Sequence, residues 1–389
     1  MSRLLASAMV LAIALAAVGA HAHVVLGTTT VQLRTLQSDL VARVRIVDPA
    51  VQLVLQEPEL RETVVTARVL EVLKGQYDGK ELRFVQRGHG VPAYQAGDEV
   101  LLFVDRIARS PELGKSRLVG HVDWVSQQET GAKFALDETT RDDFSAAVRA
   151  YAALPELSPT ARPDAARRVT LKMLASPHPV LAGSALRDVV LASNSKLFSA
   201  ADLPALVAIL DDPDTTIGVR IGLLAELERR ALVEGPPRWA VLLRTTQGAE
   251  QLAVVRAVAA HPSDAVAEEL TKLLAASDPQ LVASAAVSFG SLRSDVAVEP
   301  LAALLASSEP RVRMAAIRGL GRVGSPAAKT ALAQAAATNP DAATRRRAGA
   351  EVKVLARHAA PTTKHSPETT DEAPDPVDHQ QPEPALRGE

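Results

Sequence analysis

The chain has 389 residues and no cysteine. Packing alone must therefore hold it, and disulfides, thiolate metal sites, a cysteine nucleophile and a lipidated cysteine are excluded. Its 43 basic and 45 acidic residues leave a formal charge of −2, which supplies no global attraction to nucleic acid or to an anionic membrane. Hydrophobic residues make up 47% of the chain and aromatic ones only 3%, so the core must be built from Ala, Leu and Val, which favours closely packed helices. The length allows two domains.

Met1-Ser2-Arg3 gives a short basic start, and residues 4–18 form an almost unbroken apolar run. Ala20-His21-Ala22 then places small residues where a signal peptidase reads. Residues 1–22 thus read as a secretory signal peptide, and the mature chain is expected to be exported, to the periplasm or beyond the cell. No later segment is long and apolar enough to span a bilayer.

Residues 23–135 read as β. Ala42, Val44 and Ile46 alternate with Arg43 and Arg45, the period of a half-buried strand. Residues 63–73 form a longer strand rich in β-branched side chains, and Lys74-Gly75 ends it. Asp78-Gly79 turns into residues 82–85, and the turn at 95–98 leads into Val100-Leu101-Leu102-Phe103-Val104, a run apolar on both faces and therefore central. A last strand is expected over 118–125. Short strands with such turns predict a small barrel or sandwich. A strand ending Val72-Leu73-Lys74-Gly75, a second strand, and then Gly97-Asp98-Glu99-Val100-Leu101-Leu102-Phe103-Val104 resembles the small OB-like barrel modules of exported bacterial proteins. The resemblance implies a fold and no activity.

From residue 138 to 357 the pattern is helical, and one period organises it. Pro279 and Pro310 lie 31 residues apart, and at that offset Leu281 matches Val312, Ala285 matches Ala316, Phe289 matches Leu320 and Gly290 matches Gly321. Looser copies span 179–211 and 212–246. Such a period, with two amphipathic helices per unit, predicts an α-solenoid, because one hairpin cannot bury its apolar stripe alone. Pro310-Arg311-Val312-Arg313, Ala315-Ala316 and Leu320-Gly321 resemble the short bacterial, phycobilisome-lyase-like HEAT repeat. In the preceding unit Val282 stands where the arginine matching Arg313 is expected. The resemblance implies a solenoid used for protein binding, and lyase activity does not follow from the repeat.

Residues 358–389 carry seven acids against two bases, six prolines and little apolar content, the composition of a disordered acidic tail. Arg311, Arg318 and Arg322 fall on one helix face by their spacing of 7 and 4. With Arg313 nearby and Arg345, Arg346 and Arg347 in the next unit, they are the candidate partner-binding residues, set against the plainer reading of a solvated, salt-bridged face. Cleavage after Ala22 would leave His23 first, able to chelate copper with help from His89 or His121, so a metal-binding or enzymatic β-domain is the alternative function. A third reading is a β-domain that plugs the active site of a hydrolase. Arg87-Gly88-His89-Gly90 lacks the features of a phosphate loop and reads as a turn. No His-Glu-x-x-His, Gly-x-Ser-x-Gly or paired-ligand spacing occurs, so no catalytic residue and no cofactor is expected. The leading expectation is an exported, non-enzymatic adaptor that binds a protein and no nucleic acid.

Overall fold

The computed structural model describes residues 30–48, 52–54, 61–88, 94–109, 122–126, 133–190, 198 and 200–359. The expected signal peptide, His23, His89, His121 and the acidic segment from residue 360 on lie outside them.

The β region is a closed barrel. Strands β1 (Leu40–Asp48), β3 (Arg61–Lys74), β4 (Glu81–Gly88), β6 (Trp124–Ser126) and β5 (Glu99–Arg106) are neighbours in that order, and β5 returns to pair with β1. Every step is antiparallel except β4 with β6. Two short strands lie outside the ring, β2 (Gln52–Val54) on β3 and β7 (Lys133–Ala135) on β5. Of the strand expected over 118–125, residues 118–121 lie outside the described residues, and its end, residues 124 and 125, falls in β6. The five-stranded closure is the architecture that the OB-like resemblance implies. Ala42, Val44, Ile46, Val100, Leu102 and Val104 fill the interior with Phe84 and Leu82.

The alternate residues of the same strands serve a second core. Val41, Leu101 and Phe103 point outward and are buried with residues of the helical region. The rings of Phe103, Phe134 and Phe144 form a continuous contact, with centroids 5.8 and 5.3 Å apart. This explains why β5 is apolar on both faces: one face fills the barrel and the other is helix packing. Arg43 and Arg45, on the polar face of β1, flank this joint, the first half-buried and the second exposed. Glu99 receives Arg43, Arg45 and Arg141 at 3.7, 3.2 and 2.8 Å, and Arg149 pairs with Glu71.

One element departs from the β reading of residues 23–135. Val31–Gln37 is a helix, α1. Its sequence Val-Gln-Leu-Arg-Thr-Leu-Gln nearly alternates as a strand would, but tertiary bonds at both ends hold it helical. Thr30 caps it by accepting from the Leu33 N–H. At the other end the Lys74 ammonium donates to the carbonyl oxygens of Thr35, Leu36 and Ser38 at 2.6, 3.0 and 2.7 Å, satisfying C-terminal carbonyls and opposing the helix dipole.

The helical region is a two-layer solenoid. After α2 (Arg141–Ala152) and α3 (Arg162–Leu174) come the hairpins α4 (Pro179–Val190) with α5 (Leu203–Asp211), α6 (Ile217–Arg229) with α7 (Gly235–Thr245), α8 (Gly248–Ala257) with α9 (Asp264–Leu273), α10 (Pro279–Ser291) with α11 (Val298–Ala303), and α12 (Pro310–Val323) with α13 (Pro326–Thr338). Helix α14 (Ala342–Ala359) closes the array, two residues past the expected end of the helical region. First helices pack on first helices from α4 to α14, and among second helices α7 packs on α9 and α11 on α13. Phe289, Leu301, Leu320, Ala285 and Ala316 are fully buried along the seams.

The fourth residue of each first helix shows what fixes the period. Arg220, Gln251, Arg313 and Arg345 all donate to carbonyl oxygens just before their own helix: Leu210 at 3.0 Å, Leu243 at 3.0 Å, Ser307 at 2.8 Å and Asn339 at 2.6 Å. These are carbonyls at or near the end of the preceding second helix, which lack intrahelical donors. Val282 occupies the same position in α10 and is buried without a donor, so the ladder skips that step.

Helices α10 and α12 meet more closely than leucine seams allow. A Cβ on Gly290 would overlap the carbonyl oxygen of Gly319, and one on Gly319 would lie 2.6 Å from the carbonyl oxygen of Ala286. Gly321, the residue that repeats Gly290 in sequence, faces the Glu351 side chain instead. Gly324 ends α12 in the left-handed region at φ 66°, a cap that glycine takes without strain.

The joint between barrel and solenoid holds a buried carboxylate. Val31 N–H donates to Ser184 Oγ at 2.8 Å, and one turn on from Ser184 lies Asp188, almost fully buried. Burial pushes its pKa up to about 7, against the opposing effects of the Thr30 hydroxyl and Arg187.

Two measurements follow. Gly290→Ala should lose about 1–3 kcal/mol in urea unfolding through backbone overlap. Gly183→Ala, in the interior of α4 with open space around it, should instead gain about 0.5–1 kcal/mol. The second concerns pH. Folded Asp188 keeps a proton that the unfolded chain releases at about pH 4, so its contribution to stability is complete below about pH 4 and is lost as pH rises through about 7. Asp188→Asn should remove that decline and be the more stable chain at about pH 8, by on the order of 1–3 kcal/mol, while parent and variant converge at low pH.

Candidate functional site

The side-by-side first helices α8, α10 and α12 enclose an open groove of about 880 Å³. Its floor is α10. That helix, Pro279–Ser291, contains no charged residue, and it presents Gln280, Ala283, Ser284, Val287 and Ser288 to the groove. Small side chains stand there for the reason just given: α10 and α12 approach at Gly290 and Gly319, which leaves the surface above them low. Met314 and Ala315 from α12 add apolar surface.

The walls are cationic. Arg256 stands on α8, and Arg311, Arg318 and Arg322 stand on α12. No Asp or Glu lines the groove. Arg256, Arg311 and Arg318 are exposed and form no ion pair with any described residue. Arg322 reaches back across the seam, donating to the Val287 carbonyl at 3.2 Å and to Ser291 Oγ at 2.6 Å. Those bonds fix the guanidinium over the groove and leave part of its five-donor fork unused. Like charges at positions 318 and 322, one helical turn apart, destabilise α12 by a few tenths of a kcal/mol, on the order of 0.2–0.5. Stability alone therefore gives no reason for this arrangement.

The cluster read from sequence divides in three. Arg311, Arg318 and Arg322 come together in the groove. Arg313 turns the other way, to the Ser307 and Ser308 carbonyls, Thr344 and Asp341, where it locks the turn between units. Arg345, Arg346 and Arg347 are not part of the groove wall. Arg345 repeats the role of Arg313 on the carbonyls of Asn339 and Pro340, Arg347 pairs with Glu351 at 3.5 Å, and Arg346 is exposed. Arg256 escaped sequence reasoning because its helix lies two repeat units before α12 and no spacing rule links them.

Other clusters are internally satisfied. A second groove, about 590 Å³ between α5, α6 and α7, is mainly apolar, with Arg238 and Asp211 paired at 2.5 Å. Trp239 stacks on His261 with centroids 4.3 Å apart, and both donate to Glu228 Oε2, at 2.9 and 2.5 Å. These groups tie α6, α7 and the end of α8 together. Among the described residues no group of three or more His, Asp or Glu side chains converges as metal ligands, and no helix is long and apolar enough to cross a membrane. The histidines proposed for a metal site lie outside those residues.

Residues 267–353 match the family model described as HEAT repeats; the match does not distinguish the short phycobilisome-lyase-like subtype. No curated protein sequence matches the chain significantly. Among solved structures, a computationally designed armadillo repeat protein for modular peptide recognition is similar at 18% identity and a TM-score of 0.31, over 47% of this chain and 97% of that one. Human deoxyhypusine hydroxylase in complex with glycerol aligns at 18% identity and a TM-score of 0.29, over 55% and 85% of the two chains. Overlays at such TM-scores bear on neither shape nor function. With a family match across α9 to α14, and a repeating hairpin from α6 onward whose first helix carries a fourth-position donor in every unit but that of Val282, residues 267–353 are HEAT repeats within a helical solenoid that follows an N-terminal five-stranded β-barrel.

Proposed function

We propose that this protein is an exported protein-binding scaffold that holds an extended, acidic segment of its partner in the groove across α8, α10 and α12. The observation that carries this reading is the set of unpaired arginines, Arg256, Arg311 and Arg318, beside a floor with no charge. A carboxylate entering there meets guanidinium forks whose charges no described residue neutralises, and the uncharged floor strengthens each contact. Ser284 and Gln280 offer hydrogen bonds to a peptide backbone, and Val287 and Met314 accept small apolar side chains. Such a site needs no enclosed pocket, which suits a solenoid surface. Export is supported by the basic start, apolar run and Ala20-His21-Ala22 pattern of the first 22 residues. Arg346, exposed on α14, is available to extend the cationic track to a longer partner.

A fluorescein-labelled oligoglutamate should bind at low salt and weaken steeply as salt rises. Arg311→Glu with Arg318→Glu should reduce its affinity at least about tenfold, while Arg238→Glu, at the other groove, should change it little. Unchanged affinity in the double variant, with an unchanged unfolding midpoint, would remove the groove as the site.

A further inference from the structure

The sequence itself contains an acidic, proline-rich segment of the kind this groove fits. Between residues 366 and 386 there are six acids, Glu368, Asp371, Glu372, Asp375, Asp378 and Glu383, and no lysine or arginine. The central stretch, Ala373-Pro374-Asp375-Pro376-Val377-Asp378, alternates carboxylates with proline and small apolar residues. The groove offers the complementary pattern: four arginines on its walls, and alanine, serine, valine and methionine between them. Proline also restrains the free chain toward an extended form, which lowers the entropy lost on seating it.

Position favours the same pairing. The last helix packs its C-terminal part against the end of α12: Glu351 lies against Gly321, and Leu355 Cδ2 lies 3.8 Å from where a Gly324 Cβ would be. The chain therefore leaves α14 at Ala359, about one turn beyond the residue that touches the end of α12. Arg322 stands at that same end of α12 and reaches toward α10. Only the breadth of α12, about 10 Å, separates the exit point from the groove. The eight residues from 360 to the first acid at 368 span up to about 27 Å when extended, and those to Asp378 about 60 Å. Glu368 can therefore reach Arg322, and the later acids can run past Arg318 toward Arg311 and Arg256.

We infer that the C-terminal acidic segment, residues 366–386, seats in the arginine groove of its own chain and must be displaced before a partner enters. This rests on the groove reading above. The contact needs little intrinsic affinity. A short tether gives the segment an effective concentration in the millimolar range, so a segment binding with a Kd of about 100 μM as a free peptide would hold the groove about nine-tenths of the time. A partner must then exceed a threshold of affinity or charge, and the groove is shielded from incidental anions.

The test uses the full chain and a variant of it carrying Glu368→Gln, Asp371→Asn, Glu372→Gln, Asp375→Asn and Asp378→Asn. The probe is a labelled synthetic peptide of residues 366–386, titrated into both by fluorescence anisotropy. The neutralised chain should bind the peptide about tenfold more tightly than the parent, and Arg311→Glu with Arg318→Glu in the neutralised background should abolish that binding. Equal affinity for parent and neutralised chain overturns the inference, because the groove is then open in the parent. Binding of oligoglutamate but not of the 366–386 peptide by the neutralised chain overturns this inference and leaves the groove reading standing. Binding of neither overturns both.

Discussion

A stack of helical hairpins has two ends, and each exposes an apolar stripe that no further hairpin covers. The arrangement of this protein follows from how those ends are closed. At the N-terminal end the cover is the barrel. Val41, Leu101 and Phe103 turn outward from β1 and β5 into the core that continues through α2, α4 and the later helices. Burying Leu101 and Phe103 there contributes about 1.5–3 kcal/mol each. Around that apolar joint, Glu71 and Glu99 collect four arginines from strand and helix. Glu99 is nearly buried, so its contacts are less screened than surface pairs are and orient the joint as well as stabilise it. The barrel is thus the terminal cap of the solenoid as much as a separate fold. At the other end α14 covers α12 and α13 with one face and shows Arg346, Lys353 and Arg357 to solvent on the other.

Between the ends, the spacing of the units is set by polar groups more than by apolar ones. Leu, Ala and Val could pack at several offsets. A donor at the fourth position of a first helix cannot, because its acceptors are the final carbonyls of the helix before it. Arg220, Gln251, Arg313 and Arg345 each make that bond. The requirement is a long donor rather than arginine itself, which is why glutamine serves in α8. Where Val282 breaks the series, α10 is held by other means: the glycine contact with α12, and Ser288 Oγ donating to the Val255 carbonyl of α8 at 2.6 Å.

The periodic features were legible in the sequence, and the features made by contact were not. The 31-residue offset located α10 and α12 and named the buried Phe289 and Leu320. Alternation in β1 and the doubly apolar β5 located the barrel. Helix α1 was misread because Val31 to Gln37 nearly alternates as a strand does, and what makes it a helix is Lys74, 37 residues past its last residue and gripping its last carbonyls. Gly290 was legible as a repeat position matched to Gly321, but the residue it packs against, Gly319, is two positions earlier and on another face of α12. Arginine type gave no guide to role. Arg313 and Arg318 are close in sequence, yet the first is locked into a turn and the second stands free, a difference that depends on which carbonyls the fold leaves without donors.

The groove shows how these constraints meet. The unit that lacks the ladder donor is the one whose first helix carries no charge at all, and it lies between two helices that carry charges on the facing walls. Close approach at Gly290 and Gly319 demands small residues on α10, and small residues leave a shallow trough. A trough floored by alanine and serine raises the field of nearby guanidinium groups by excluding water and supplying no counter-charge. Arg311, Arg318 and Arg256 would each find a partner easily if α10 bore glutamate at 280 or 284, and the helix would tolerate either, since glutamate is a good helix former and position 280 is exposed. Its absence keeps the trough cationic, and selectivity for an acidic occupant then follows from what the floor omits as much as from what the walls provide.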